Sequence, residues 1–275
     1  MNSVASGQAD FSDLLRSWRK ARKQSQWSLA LDAGVSQRHL SFLESGRSAP
    51  SREMVLLLSG CLDLPLREQN ILLNAAGFAS IFTELGIDRA DLEPAKQALT
   101  MMLQHHEPYP AVVVDRNWNL VLSNQAMLKL MGVFVDLETV WQDTGTDQTP
   151  NIMKLSIHPR GLWPWIANQA QIGWYFQRQI SRELSDNPRN VVCRDLLEAL
   201  DKMMPGLSPA NIPPKPDSPY LELRLVKDEL KLNFFTMIST FGTPQDVTLQ
   251  ELRTESFFPA DNFTARFMEK LASSA

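Results

Sequence analysis

The fold of the N-terminal region is decided by one stretch, SQWSLALDAGVSQRHLSFLESGR, which spans residues 25–47. Its pattern predicts a short helix over about 26–33 and a second helix that Ser36 caps and that reaches about Glu44. Gly34 lies between them, where the end of a helix needs a left-handed residue. The two helices are expected to share a core of Leu29, Val35, Leu40 and Leu43. The stretch therefore predicts two helices joined by a tight turn.

Three further helices are predicted around this pair. Residues 11–23 form an amphipathic helix because apolar residues recur there at helical spacing, namely Phe11, Leu14, Leu15, Trp18 and Ala21. A fourth helix begins after the capping residue Ser51, and a fifth begins at Pro65 and ends at Gly77. The core face expected for the fourth helix consists of Met54, Leu57, Leu58 and Cys61. Five helices of this length indicate one small all-α domain over residues 1–78.

The exposed side chains of the third helix suit contact with double-stranded DNA. A helix-turn-helix places one helix across the phosphates and a second helix in the major groove. In that groove arginine pairs bidentately with guanine, glutamine pairs with adenine, and an apolar side chain touches a thymine methyl group. The residues expected at DNA are Gln37, Arg38, Ser41 and Phe42 on the third helix, with Gln26 on the second helix at a phosphate. The alternative is a helical bundle that serves only as a protein adaptor.

This segment resembles the helix-turn-helix of the Xre/Cro/phage-repressor family over about residues 11–77. The DNA contacts that the resemblance implies are Gln37 and Arg38 at bases and Gln26 and Arg47 at phosphates. It also implies an internal ion pair between Arg19 and Glu44. Trp27 and Ser28 depart from the family, which usually has acidic residues there, and this departure reduces the repulsion of DNA.

Charge is unevenly distributed along the 275-residue chain. The formal net charge is −4, but residues 1–80 carry +2 and the remainder carries −6. A small basic region on an acidic body favours contact with phosphates, although a solvated helix face gives the same pattern. Two cysteines without metal-ligand spacing indicate a reducing compartment. Because there is no secretory signal and no apolar stretch of about 18 residues, the sequence predicts a cytoplasmic protein without a membrane partner.

The remainder of the chain changes from a helical connector to an α+β domain. The expected order is a connector over 79–107 with a helix at about 91–104, followed by a domain over 108–275. Strands are predicted at 111–114, 120–122, 220–226, 230–240 and 247–255. Asn124 is expected to cap a helix, residues 151–204 are mostly helical, and six prolines mark 205–219 as a loop. This order favours a mainly antiparallel sheet.

Large, adaptable apolar side chains are concentrated in the second domain. The run from Leu162 to Ile180 is apolar on more than one face, which is typical of a buried core and also of a cavity wall. His105 and His106 are adjacent, so on a helix they point about 100° apart and do not clamp one metal ion. Phosphate-binding glycine loops and nucleophile elbows are missing from the sequence. We therefore expect neither an enzyme nor a metal site.

Three segments of the second domain resemble the ligand-binding domain of MmyB-like transcription regulators. They are residues 111–124, whose hairpin is similar to the opening of a PAS-type sensor domain, together with 151–162 and 240–261. The resemblance covers about residues 95–270. It implies a PAS-like sheet and helices around an apolar cavity, with a fatty-acid-like molecule as the ligand and no cofactor. Haem and flavin are alternatives, although their usual ligand signatures are not evident.

Candidate ligand contacts follow from this resemblance. The expected wall residues are Val113, Trp118, Leu122, Met127, Trp163, Trp174, Phe234 and Met237. His158 or Arg160 is the expected partner of a polar head group. A core made only of packed side chains is the alternative for the same apolar residues.

The combined prediction is a DNA-binding transcription regulator whose C-terminal domain senses a small apolar ligand. Two-fold association through that domain would form a homodimer and present two recognition helices to a pseudo-palindromic operator. The main alternative is a C-terminal domain that serves only for dimerisation or partner binding. An enzyme that uses the cavity is a further alternative, and it would require convergent polar side chains there.

Overall fold

The structure is a computed structural model that describes residues 10–136, 140, 149–187, 190–206 and 219–273. Its contacts divide the chain into an N-terminal unit, residues 1–86 with 243–250, and a second unit, residues 87–242 with 251–275. The expected domain boundaries at residues 78 and 107 stay predictions. The expected loop over 205–219 falls mostly outside the described residues.

Five helices form the N-terminal part of the first unit, as expected. They are α1 (Phe11–Ala21), α2 (Gln26–Asp32), α3 (Gln37–Glu44), α4 (Arg52–Cys61) and α5 (Leu66–Ala75). The hydroxyl of Ser36 accepts a hydrogen bond from the backbone N–H of His39, and that of Ser51 accepts from Met54. Gly34 has a φ of 64°, which is the left-handed conformation that the turn before α3 requires. Both predicted caps and the predicted turn residue are confirmed.

The core of these helices differs from the prediction on α4. Val55 and Leu58 are fully buried, whereas Leu57 is 43% exposed. Apolar side chains occupy every position from Met54 to Leu58, so helical periodicity does not determine which face turns inward. The face that starts at Val55 and continues three and seven residues later, at Leu58 and Leu62, is the one that packs.

The second unit is built on a five-stranded sheet. Its strands are β1 (Ala111–Val114), β2 (Leu120–Ser123), β3 (Glu222–Lys227), β4 (Leu230–Ser239) and β5 (Arg253–Pro259). Their spatial order is β2-β1-β5-β4-β3, and each neighbouring pair is antiparallel. The predicted antiparallel α+β architecture is therefore confirmed.

Within the described residues after 86, six helices of six or more residues and one helix of five residues accompany the strands. The longer ones are α6 (Glu93–His105), α7 (Gln125–Phe134), α8 (Ile152–Ile157), α9 (Gln169–Asp186), α10 (Val191–Met203) and α12 (Asn262–Ser273), and the short one is α11 (Val247–Glu251). Asn124 caps α7 as predicted, because its side-chain oxygen accepts from the N–H of Met127 at 3.0 Å. Among the described helices, none is long and apolar enough to cross a membrane.

The predicted last strand, over 247–255, is wrong in its first half. Residues Val247–Glu251 form α11, and β5 begins only at Arg253. The carboxylate of Asp246 accepts hydrogen bonds from the backbone N–H of Thr248 at 2.9 Å and of Leu249 at 3.3 Å. This carboxylate starts a helical turn and overrides the strand preference of the valine and threonine that follow.

Candidate DNA interface and ligand cavity

The turn between α2 and α3 positions the predicted DNA contacts. Gln37 and Arg38 are exposed in the first turn of α3, while Ser41 and Phe42 are half-buried one turn later. The backbone N–H of Val35 donates to the carbonyl of Ala30 at 2.9 Å, which closes the turn. The predicted base-reading residues of α3 therefore lie together in the N-terminal half of one helix.

Phe42 has a role in the structure that sequence reasoning did not assign. The guanidinium carbon of Arg38 lies 5.4 Å from the centroid of the Phe42 ring, and that of Arg47 lies 5.9 Å from it. Cations within about 6 Å of an aromatic ring centroid are attracted to its face. The Phe42 ring thus attracts two exposed guanidinium groups. That of Arg38 is predicted to contact bases, and that of Arg47 is predicted to contact phosphates. Its own predicted contact with a thymine methyl group stays a prediction.

A buried ion pair fastens α3 to α1. Arg19 donates to both carboxylate oxygens of Glu44, at 2.5 and 2.8 Å, and Glu44 is only 1% exposed. Burial opposes ionisation of this carboxylate, but hydrogen bonds from Arg19 and Gln26 outweigh it and lower the pKa of Glu44. The ion pair implied by the family resemblance is confirmed.

Gln26 is also tied to this buried carboxylate. Its amide nitrogen donates to Oε2 of Glu44 at 2.8 Å, so one polar end of the side chain already has a protein partner. The phosphate contact expected of Gln26 stays a prediction. The second N–H of the Gln26 amide and the exposed N-terminal turn of α2 are left for that contact. In that turn the hydroxyl of Ser25 accepts from the backbone N–H of Ser28 at 3.0 Å.

In the second unit a mostly apolar cavity of about 80 Å³ lies against the sheet. Side chains from α7, α8, α9 and the strands β3, β4 and β5 form most of its wall. The lining residues are Trp118, Met127, Leu130, Met131, Ile152, Met153, Leu155, Ser156, Leu162, Ile166, Ile172, Tyr175, Phe176, Leu221, Leu223, Leu225, Thr236, Glu255 and Phe257.

Polar groups gather at the part of this wall formed by β4, β5 and α9. Burial raises the pKa of Glu255 to about 7, and a hydrogen bond with Thr236 offsets part of that rise. Burial, together with the Glu255 charge, raises the pKa of Tyr175 to about 12. The cavity therefore contains a carboxyl group that titrates near neutrality and a phenol that stays protonated.

Trp118 combines an unusual backbone conformation with a buried position in the cavity wall. Its φ is 67°, which is an outlier for a bulky side chain, and the side chain is only 4% exposed. Within the described structure its indole N–H is buried and has no hydrogen-bond partner. The guanidinium of Arg253 lies 5.8 Å from the centroid of the Trp118 ring.

The guanidinium of Arg253 also belongs to a network of ion pairs. Arg253 donates to Glu183 at 2.8 Å, Glu183 also pairs with Arg116 at 3.0 Å, and Arg116 pairs with Glu251 at 2.8 Å. The four side chains come from β5, α9, the β1–β2 turn and α11. Two cations and two carboxylates balance, so the network places little net charge beside the cavity.

The structure places two of the predicted wall residues, Trp118 and Met127, at this cavity. Val113 and Met237 do not line it, because side chains alternate between the faces of a strand. On β1 the cavity-side core contains Val112 and Val114, and on β4 the lining residue is Thr236. For each of these two candidates the prediction is wrong by one position along the strand. Neighbouring positions of a strand point to opposite faces of the sheet, so the predicted side chain lies on the other face.

The remaining ligand candidates do not line this cavity either. Leu122 pairs with Val113 and shares its face of the sheet. Phe234 and Trp163 are buried in the core. The guanidinium carbon of Arg178 lies 5.5 Å from the centroid of the Trp174 ring. The predicted head-group candidates, His158 and Arg160, lie in the turn after α8, and neither lines the cavity.

Sequence reasoning missed Tyr175, Thr236 and Glu255. The signal for Glu255 is present in the strand RTESFFP, where a carboxylate shares one face with Phe257. Recognising this pattern requires knowing where β5 begins. The predicted strand over 247–255 begins six residues before β5 does. A carboxylate on the inward face of a strand is unusual.

Family models match both parts of the chain. A family model of the MmyB-like transcription regulator ligand-binding domain matches residues 95–271, and a helix-turn-helix model matches residues 15–69. The chain belongs to the MmyB-like transcription regulators. It is accordingly a DNA-binding transcription regulator with a ligand-binding domain.

Other comparisons are more distant. No curated protein sequence matches the chain. A solved structure described as an RNA-binding light-oxygen-voltage receptor is 13% identical, over 96% of this chain and 63% of that one, with a TM-score of 0.27. The regulator thus spans less than two thirds of the length of that structure.

Proposed function

We propose that this regulator binds a pseudo-palindromic operator as a homodimer and that a small apolar molecule in the cavity alters its operator affinity. A fatty-acid-like molecule is the proposed ligand class. The observation that carries the proposal is a cavity with apolar walls and one group of polar side chains, which is the usual composition of a small-molecule site.

The DNA part of the proposal is supported by the surface of α3. Gln37 and Arg38 are exposed where a recognition helix meets base edges, and Arg47 extends the positive charge toward the backbone. The Phe42 ring restrains both arginine side chains, so these side chains lose less conformational entropy when DNA binds.

The ligand part is supported by the adaptability of the cavity wall. A volume of about 80 Å³ is smaller than that of most ligand pockets, which measure roughly 300–1,000 Å³. Met127, Met131 and Met153 line the wall, and their flexible thioethers can move to admit a longer chain. Each methylene that becomes buried contributes about 0.8 kcal/mol, so a short chain suffices for measurable binding.

Coupling between ligand and operator is supported by the course of the chain. Residues 243–250, which separate β4 from β5 in sequence, belong to the N-terminal unit. There Asp246 accepts from Thr83 at 2.7 Å and Gln250 accepts from the N–H of Leu66 at 2.7 Å. A ligand acts on the operator only if it binds two arrangements of the regulator with different affinities.

Homodimer formation is supported by apolar side chains left on the second unit. Met101, Met102 and Met237 are 45–57% exposed on α6 and β4. A second copy that buried these side chains would remove apolar surface from water and pair the two recognition helices. A C-terminal domain used only for dimerisation does not need the cavity or its polar group.

The test begins with mass spectrometry of the purified regulator, first native and then after organic extraction. A stoichiometric small lipid released on denaturation supports the sensor function. An operator is then selected from random DNA, and its affinity is measured by fluorescence anisotropy with and without the released molecule. Unchanged operator affinity on ligand addition would refute the coupling.

A further inference from the structure

We propose that β3 sets the chain length of the ligand and that Leu225 is the residue at which the acyl chain ends. In this arrangement the polar head lies at the exposed end of the cavity beside Leu221, and the chain extends past Leu223 to Leu225. The inference rests on the proposed function, since it presumes that the cavity binds a fatty-acid-like molecule. It adds the orientation of that molecule and a limit of about ten carbons on its length.

Three leucines on one face of β3 line the cavity at alternate positions. They are Leu221, Leu223 and Leu225, and alternate residues of a strand point to the same side. Their exposure decreases in one direction, because Leu221 is 37% exposed, Leu223 is half-buried and Leu225 is fully buried. The cavity is therefore nearest to solvent beside Leu221 and deepest beside Leu225.

Contacts around the C-terminal end of β3 close the cavity beyond Leu225. Ile166 forms an isolated β-bridge with Leu225 and also lines the cavity. Two residues further along the strand, the ammonium of Lys227 donates to the carbonyl of Val133, in the last turn of α7, at 2.6 Å. The same ammonium lies 5.1 Å from the centroid of the Trp165 ring. A ligand chain that reaches Leu225 would thus meet a wall that these contacts hold in place.

Polar side chains of the wall lie toward the Leu221 end. On β4, Leu232 pairs with Leu225, and the strand continues four residues in the direction of Leu221 to Thr236, which lines the cavity. The side chain of Thr236 forms a hydrogen bond with Glu255 on β5. A fatty-acid head at this end would lie among hydroxyl and carboxyl groups near solvent, while its chain would lie against apolar side chains.

The distance along β3 limits the length of the chain. Leu221 and Leu225 are four residues apart, which corresponds to about 13 Å at about 3.3 Å per residue. An extended acyl chain advances about 1.25 Å per carbon, given C–C bonds of about 1.5 Å, so about ten carbons cover that distance. The cavity of about 80 Å³ admits such a chain only if the methionine side chains of its wall move. A longer chain would have to displace Leu225 or leave carbons in water.

The experiment measures the binding of saturated fatty acids with 6 to 14 carbons to the full chain by isothermal titration calorimetry at pH 6, below their aggregation concentrations. Burial raises the pKa of Glu255 to about 7, so its carboxyl group is mostly neutral at this pH and does not repel the carboxylate of the probe. We expect the affinity to rise roughly fourfold for each added carbon up to about ten carbons, and then to stay level or fall.

Substitutions on β3 assign this limit to Leu225. Leu225→Ala removes three carbons at the deep end and should raise the limit by roughly two or three carbons. Leu221→Ala is the matched control, because it removes the same three carbons at the exposed end of the same strand and should leave the limit unchanged. Since Leu225→Ala also destabilises the core, Leu225→Phe provides a second test: it suits a strand, fills the deep end and should lower the limit by roughly two carbons.

The outcomes separate the two levels of the proposal. If none of the fatty acids binds, the proposed ligand function fails and the inference fails with it. If the affinity keeps rising through fourteen carbons, or if a folded Leu225→Phe variant keeps the limit of the unmodified chain, the inference is overturned while ligand binding stands. A limit that moves as far in Leu221→Ala as in Leu225→Ala would also overturn it, because the chain would then not end at Leu225.

Discussion

Glu255 should make the ligand-free second unit less stable as the pH rises. The pKa of this carboxyl group is about 7 in the folded protein, against an ordinary value of 4.5. Between these values the folded state keeps a proton that the unfolded state has lost, so the stabilisation is complete below pH 4.5 and is lost as the pH rises through 7. At about 1.4 kcal/mol per pKa unit, the loss is about 3 kcal/mol.

Replacing Glu255 with glutamine removes the titration and keeps the shape. The stability advantage of Glu255→Gln over the unmodified chain should therefore grow by about 3 kcal/mol between pH 4.5 and pH 8. Urea unfolding at a series of pH values, followed by tryptophan fluorescence, measures this difference, with Glu269→Gln as the control. A difference that stays constant across that range would refute the reasoning, because a carboxyl group with an ordinary pKa produces no such trend.

Three further substitutions test other parts of the structure. Phe42→Leu removes the ring under two guanidinium groups and should weaken operator binding by about 1–2 kcal/mol in anisotropy titrations, whereas Leu31→Ala, on the exposed face of α2, should leave it nearly unchanged. Glu44→Gln strands the buried Arg19 and should lower the free energy of unfolding by about 3 kcal/mol at pH 7. Because the pKa of Glu44 is lowered, this difference should shrink as the pH falls below the ordinary value of 4.5, and a pH-independent difference would contradict the ion pair. Gly161→Ala would place a Cβ 2.0 Å from the carbonyl oxygen of Leu155 and should lower the free energy of unfolding by roughly 2–4 kcal/mol, so an unchanged urea midpoint would show that the turn is held differently.

The N-terminal unit was largely predictable because its signals are local. Ser36 and Ser51 cap helices whose first N–H groups they reach within three residues, and Gly34 supplies a conformation that other residues rarely adopt. These effects depend on the nearest neighbours in sequence, so the pattern suffices. The pair of Arg38 and Arg47 over Phe42 was not predictable from spacing, because Arg47 lies in the loop after α3.

The cavity was less predictable because it depends on strand phase. A strand that starts one residue earlier exchanges its two faces, and sequence reasoning assigned Val113 and Met237 to the face that Val112 and Thr236 occupy. The start of β5 is set by the turn at Asp246, whose partners Thr83 and Leu85 are about 160 residues away in sequence. Contacts over that distance leave no periodic signal near the strand.

Trp118 connects the cavity wall with a network of ion pairs in the second unit. Two energetic costs meet at this residue, a positive φ and a buried N–H without a partner in the described structure, while the guanidinium of Arg253 packs favourably against its ring. Strain of this kind persists only where surrounding contacts impose it, and it is concentrated at functional sites. Here the contacts run from Arg253 through Glu183 and Arg116 to Glu251, the last residue of α11. These contacts therefore connect a strained residue of the cavity wall with the last residue of the helix that follows Asp246.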